Sequence, residues 1–105
     1  DTNWQTLTLT NATGSVRYKI KSGRLLVQVN VTPTSESGNL CQLGVLPVAY
    51  RPDEDMLVPI SVINGVNNEH VTFQVIASTG LVVISSPELN EQHRLSAEFT
   101  IDTVD

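Results

Sequence analysis

Apolar and polar residues alternate along much of the chain. Every second position is apolar in residues 15–21 and again in residues 24–32, and the same pattern returns in residues 71–75 and 95–101. Successive side chains of a β-strand point to opposite faces of its sheet, so this pattern predicts half-buried strands of antiparallel sheets. One face of each predicted strand is dry and the other is polar.

Three further segments, residues 40–48, 57–63 and 81–84, are rich in apolar residues on both faces. We expect strands of this kind to lie centrally, where both of their faces are covered. A weaker strand is predicted at Trp4–Thr10. No segment carries the helical period of ~3.6 residues, so no long helix is predicted.

Turn residues separate the predicted strands. Ser22-Gly23 fits a two-residue hairpin turn in which glycine supplies a positive φ, and Ser78-Thr79-Gly80 closes a second hairpin. About eight short strands separated in this way predict an all-β fold, either a small antiparallel β-barrel or a β-sandwich. We expect a single domain over residues 1–105, cut from a longer protein, because the chain opens at Asp1 without an initiator methionine.

Charge and composition narrow the possible partners. The chain of 105 residues has a net charge of −5 and only six Lys and Arg residues, which argues against binding to nucleic acid. No apolar run reaches the ~20 residues that a membrane-spanning helix needs, so no membrane insertion is predicted. The lone Cys41 excludes an intrachain disulfide, and we expect it to be a small buried apolar residue.

Catalytic motifs are missing from the sequence. It contains no nucleophile elbow, no phosphate-binding glycine loop and no His-Glu-x-x-His zinc motif, so we predict that the protein is not an enzyme and uses no cofactor or metal. A carbohydrate-active enzyme remains an alternative, because two converging carboxylates would suffice. The acidic run at residues 53–55 is expected to be a solvated loop, and His70 and His93 are expected to be solvated loop or strand-end residues.

Two polar loops are candidates for ligand binding. Residues 64–70 and 87–94 are dense in side chains that donate and accept hydrogen bonds, and each contains a histidine. Loops held by a rigid sheet commonly carry such sites, although Asn and Gly also serve simply to turn the chain. Trp4, the only tryptophan, is interpreted as a packing anchor at a domain base or subunit contact, with a platform for a sugar ring as the alternative.

Three segments resemble a known family. Residues 11–29, with the strand Val-Arg-Tyr-Lys and a glycine turn, are followed by Leu-Gly-Val-Leu-Pro-Val-Ala-Tyr-Arg-Pro at residues 43–52 and by the hairpin at residues 71–84. In this order they resemble the C-terminal head domains of receptor-binding proteins in siphophages that infect Gram-positive bacteria, such as lactococcal phages. The chain departs from that family at Phe73 and Val75, where a His-x-Asp pair is expected.

The resemblance implies a trimeric β-barrel head at the distal tip of the phage tail. Its expected partners are host cell-wall polysaccharide or teichoic acid, two further copies of the chain, and other tail or baseplate proteins. A homotrimer with an aliphatic interface also agrees with the apolar runs at residues 40–48 and 57–63. The alternative function is a structural trimeric cap of the tail or baseplate that makes protein–protein contacts only.

Saccharide binding is expected at loops that converge at one end of the fold. Their polar side chains can hydrogen-bond to ring hydroxyls, and arginine can also pair with phosphate. The predicted saccharide-binding residues are Arg51, Asn67, Asn68, Glu69, His70, His93 and Arg94.

Overall fold

A computed structural model of the protein describes residues 1–63 and 71–100. Within these residues the chain forms nine β-strands and one short 3-10 helix, Val48–Tyr50. The strands are β1 (Gln5–Thr6), β2 (Ala12–Lys21), β3 (Arg24–Pro33), β4 (Leu40–Val45), β5 (Met56–Pro59), β6 (Ser61–Ile63), β7 (Thr72–Val75), β8 (Leu81–Ser85) and β9 (Gln92–Thr100). The predicted all-β class is confirmed.

The strands form two antiparallel sheets. The larger sheet has the strand order β1-β2-β3-β9-β6, and the smaller sheet has the order β4-β8-β7-β5. Side chains of both sheets, such as Leu25 and Val29 from β3 and Phe73 and Ile84 from β7 and β8, meet in one buried cluster. Of the two predicted architectures, the structure has the β-sandwich. Cys41 lies in this cluster as expected, and burial raises the pKa of its thiol.

The β2–β3 hairpin forms the centre of the larger sheet, with β9 paired to the other edge of β3. Ser22 (φ 53°) and Gly23 (φ 75°) both have positive φ, as in the two-residue turns that match the twist of antiparallel strands. The pairing puts Val16 opposite Val29, and both side chains are buried. The alternating pattern therefore places the intervening polar residues on the outer face of the larger sheet, where β2, β3 and β9 present them side by side.

The expectation that all three apolar runs lie centrally is wrong for two of them. Residues 40–48 contain β4 and residues 57–63 contain most of β5 and β6, and each of these three strands is at the edge of its sheet. Only residues 81–84, in β8, lie between two neighbouring strands. Pro47 and Pro59 within the two runs are compatible with edge positions, because proline cannot donate a ladder hydrogen bond. Each of these strands therefore has a neighbouring strand on one side only, and the apolar side chains along its free edge are not covered by another strand.

The segment at residues 87–94 is not a loop throughout. Strand β9 begins at Gln92, so His93 and Arg94 are strand residues. His93 lies opposite Val31 and faces the interior, while Arg94 lies opposite Asn30 and is exposed. The alternation seen in residues 95–101 therefore extends back to His93, where a histidine occupies an inward position that a search for apolar residues does not detect.

Candidate functional site

A shallow groove lies on the outer face of the larger sheet and is lined mainly by polar side chains. Its volume is about 560 Å³, and it lies across β2, β3 and β9, with Ile63 of β6 at one side. Strand pairing builds it, because residues opposite one another in antiparallel strands share a face. The polar residues that line it are Ser15, Arg17, Gln28, Asn30, Arg94 and Ser96.

Hydrogen bonds orient the two amide side chains of the groove. A guanidinium nitrogen of Arg17 donates to Oε1 of Gln28, and Nε2 of Gln92 donates to Oδ1 of Asn30 at 2.7 Å. The amide nitrogens of Gln28 and Asn30 can donate to a ligand, while each amide oxygen keeps one lone pair with which to accept. Together with the guanidinium of Arg94, the groove thus offers mainly hydrogen-bond donors.

The same face carries five of the six Lys and Arg residues of the chain. Among the described acidic residues, Glu98 lies on this face and pairs with Arg24 at 3.6 Å, and both side chains are more than half exposed. An exposed pair of this kind contributes little to stability and neutralises only part of the local charge. The face is therefore positive although the chain is acidic. The five cationic residues are Arg17, Lys19, Lys21, Arg24 and Arg94.

Trp4 lies on this face beside β2. The Arg17 guanidinium carbon is 4.8 Å from the centroid of the indole ring, and Nζ of Lys19 is 4.7 Å from it. Cations at this distance over an aromatic face are attracted to its π-electrons, so both contacts hold the ring on the sheet. Trp4 is half-buried within this chain, and its surroundings are compatible with both of its predicted roles.

Arg51 lies away from the groove and bonds to the protein's own backbone. Its Nε donates to the carbonyl oxygen of Leu46 at 3.1 Å, and its Nη1 donates to the carbonyl oxygen of Ser78 at 3.3 Å. These bonds join the segment after β4 to the β7–β8 turn in the smaller sheet. Arg51 and Arg94 were predicted to contribute to one binding surface. Arg51, however, follows the 3-10 helix beside the smaller sheet, whereas Arg94 lies in β9 of the larger sheet.

His93 is fully buried, which corrects the expectation of a solvated side chain. Its Nδ1 donates to the carbonyl oxygen of Glu91 at 2.8 Å, and its Nε2 accepts from the backbone N–H of Glu88 at 3.3 Å. This arrangement requires the neutral ring, and burial lowers the pKa of His93. The imidazole has no exposed surface with which to touch a sugar, and in this structure it organises the turn before β9.

The other predicted binding residues, Asn67, Asn68, Glu69 and His70, lie outside the described residues. Of the predicted set, Arg94 lies in the groove. The remaining groove residues were not predicted, because they occupy the polar positions of alternating strands rather than loops. The sequence does carry an indication of these groove residues. Cationic and amide side chains are concentrated at the outward positions of β2 and β3, at Arg17, Gln28 and Asn30.

Within residues 1–63 and 71–100, no group of three His, Cys, Asp or Glu side chains could hold a metal ion. Over these residues the structure also has no helix with the length and hydropathy needed to cross a bilayer. In comparisons with known proteins, no family model matches the sequence, and no curated protein matches it.

Proposed function

We propose that the protein is a binding domain for an anionic cell-wall saccharide and that the groove on the larger sheet is its binding site. The observation that carries this proposal is the lining of the groove, where two guanidinium groups, two amides and two hydroxyls converge on one rigid sheet. Hydroxyl and amide groups suit the ring hydroxyls of a sugar, and arginine can bind a phosphate or carboxylate through two parallel hydrogen bonds.

The charge distribution favours an anionic ligand over a neutral one. Five cations lie on the face that contains the groove, in a chain whose net charge is −5. Attraction to a polyanion is therefore local to this face, and salt weakens it because the charges are exposed. A cell-wall polysaccharide with phosphate groups, or a teichoic acid, has both the hydroxyls and the charge that these side chains can recognise.

The resemblance to phage head domains suggests the setting for this activity. We propose that the domain recognises the host during adsorption, at the distal tip of a siphophage tail, in a homotrimer attached to other tail or baseplate proteins. Three tethered sites of modest affinity would bind a repetitive polymer ~10²-fold or more tightly than one site does. In this setting the rigid strands, rather than the loops, would present the binding residues.

Binding to purified cell walls tests the proposal. We expect the protein to bind walls that contain teichoic acid or phosphorylated polysaccharide, and the Arg94→Ala and Arg17→Ala variants to bind several-fold more weakly. Lys21→Ala is the matched control, since it removes the same charge from the same face at the hairpin end, outside the groove. Undiminished binding by the Arg17→Ala/Arg94→Ala double variant, with an unchanged melting temperature, would exclude the groove as the site.

Exposed aliphatic side chains favour a second candidate function, the structural trimeric cap. Among the described residues, the exposed large apolar side chains include Val45 (55% exposed), Val48 (76%) and Leu57 (62%), all within the apolar runs at residues 40–48 and 57–63. Exposed apolar side chains at sheet edges are available to contact other proteins. These side chains lie on or near the edge strands of the smaller sheet, so a protein contact there would leave the groove accessible.

A further inference from the structure

We infer that a small pocket beside the groove is a subsite for one uncharged sugar ring, so that the ligand joins such a ring directly to an anionic group. The inference rests on the proposed function and extends it to the composition of the ligand. The pocket has a volume of about 200 Å³. It is lined by Trp4, Leu26, Val27, Gln28, Ser96 and Glu98.

The pocket combines an apolar floor, an aromatic wall and a polar rim. Leu26 points outward from β3 between Lys19 of β2 and Glu98 of β9, and it is an apolar residue on an otherwise polar face. The Trp4 indole stands on the β2 side, held by its two cationic neighbours. A pyranose ring has an apolar C–H face and a rim of hydroxyls. The C–H face can pack on Leu26 and the indole while Glu98 accepts a hydrogen bond from a hydroxyl.

The pocket and the groove are continuous. Gln28 and Ser96 line both of them, and they lie opposite each other on β3 and β9. Leu26 of the pocket and Asn30 of the groove lie on either side of Gln28 along β3, each two residues away. The step from Leu26 to Gln28 is roughly 7 Å along the strand. Arg17 of the groove lies opposite Gln28 on β2. A ring and a phosphate that are directly linked can therefore occupy the two cavities at the same time.

Charge assigns each part of the ligand to its cavity. The groove contains Arg17 and Arg94, whereas the carboxylate of Glu98 borders the pocket. An anionic group is attracted to the two guanidinium groups of the groove, whereas the apolar floor of the pocket suits an uncharged ring. The cation contacts of Trp4 restrict its side chain before binding, which lowers the entropic cost of using it as a wall.

Two matched probes test this inference. The first is an oligomer of glycerol phosphate, and the second is the same oligomer with hexose substituents. Calorimetry measures the affinity of the protein for each, and the fluorescence of Trp4, the only tryptophan, reports on the pocket directly. We expect both probes to bind through the groove. The hexose-bearing probe should bind at least five-fold more tightly. It should also shift the Trp4 emission beyond the change that the plain oligomer causes through Arg17.

A substitution in the floor of the pocket separates the pocket from the groove. Leu26→Asn should abolish the preference for the hexose-bearing probe while leaving the affinity for the plain oligomer within about two-fold. Leu89→Asn is the control, because it makes the same change at an exposed leucine that lines neither cavity. Thermal melts of both variants establish that the fold is kept.

The possible results distinguish failure of the sugar subsite from failure of the proposed function. Equal affinity for the two probes, with the same Trp4 emission in both complexes, would overturn the sugar subsite and leave the groove as an anion-binding site. A preference for hexose that survives Leu26→Asn would also overturn the subsite, because the ring would then bind elsewhere. Failure of both probes to bind the unmodified protein would overturn the proposed function together with the inference.

Discussion

Arg51 holds two backbone segments of the smaller sheet together through its guanidinium group. It donates to the carbonyl oxygens of Leu46 and Ser78, and it lies against Gly80, which has a φ of 77°. A Cβ atom at Gly80 would be 2.5 Å from Nε of Arg51 and 2.5 Å from the Leu46 oxygen. Glycine is therefore required both by the positive φ and by the lack of space for a side chain. Because the turn passes this close to the guanidinium group, Arg51 can link it to the segment after β4 by hydrogen bonds.

Replacement of this arginine should lower stability. We expect Arg51→Ala to reduce the free energy of unfolding by about 1–3 kcal/mol, because two hydrogen bonds from a charged donor are lost. Arg51→Lys should recover only part of that loss, since one ammonium group cannot reproduce the planar fork of donors. Urea denaturation measures both changes. An unchanged midpoint for Arg51→Ala would mean that water replaces its bonds without cost.

His93 should make the stability of the protein dependent on pH. Burial lowers its pKa in the folded state below the ordinary value of 6.5, so the unfolded chain binds a proton more readily over that interval. Stability is therefore complete above about pH 6.5 and decreases as the pH falls toward the folded-state pKa. Below that pKa both states are protonated, and this contribution to the pH dependence ends.

A variant without a titrating group at this position provides the test. We expect urea denaturation of the unmodified protein to give a decreasing free energy of unfolding between about pH 7.5 and 5.5, and the decrease to be smaller in His93→Gln. His70 is retained in both proteins, so its contribution cancels in the comparison. Parallel pH curves for the two proteins would show that protonation of His93 is not coupled to unfolding.

The sequence predicts which segments form strands, because alternation is a local pattern. It does not predict where each strand lies in its sheet, because that depends on pairing with distant strands. The β2–β3 hairpin follows from alternation on both sides of Ser22-Gly23, which is information contained within one short segment. The edge positions of β4 and β5 depend on which remote strands pair, and local hydropathy does not encode this. The groove has the same limitation, because Arg94 meets Asn30 only when β9 pairs with β3.

The hairpin turn depends on its glycine. We expect Gly23→Val to lower the free energy of unfolding by about 1–3 kcal/mol, because a β-branched residue resists positive φ. Gly23→Asn should cost distinctly less, since asparagine tolerates the left-handed region better than other non-glycine residues. A thermal melt of each variant measures the difference. Equal melting temperatures for the two variants would show that backbone conformation does not limit the turn.

For the molecule as a whole, the distribution of exposed aliphatic residues suits a cyclic assembly. Val45 lies at the end of β4 and Leu57 lies in β5, and these strands are the opposite edges of the smaller sheet. A ring of three copies joins one surface of each copy to a different surface of the next. Two separate aliphatic surfaces on one protomer meet this requirement, whereas a two-fold dimer needs only one.

The trimer is expected to depend on these side chains. Sedimentation equilibrium should detect a trimer, or a monomer–trimer equilibrium, at micromolar protein concentrations. Leu57→Glu and Val45→Glu should each shift the equilibrium toward the monomer, because either change places a charge against an apolar surface. Leu89→Glu alters another exposed leucine outside both edges and should leave the mass unchanged. A monomer at every concentration would contradict the proposed trimer.

Among the described residues, charge is separated between the two sheets, and this separation contributes an electric dipole. The larger sheet presents its cations outward, whereas the acidic run at residues 53–55 precedes β5 in the smaller sheet. Near a negatively charged wall the molecule experiences a torque as well as a force, and the torque turns the cationic face toward the wall. This alignment acts within about 8 Å at physiological salt, the distance over which such fields persist. Under the proposed function, a domain repelled as a whole would thus be rotated into its binding orientation just before contact, and encounters that begin with the acidic side would be rejected.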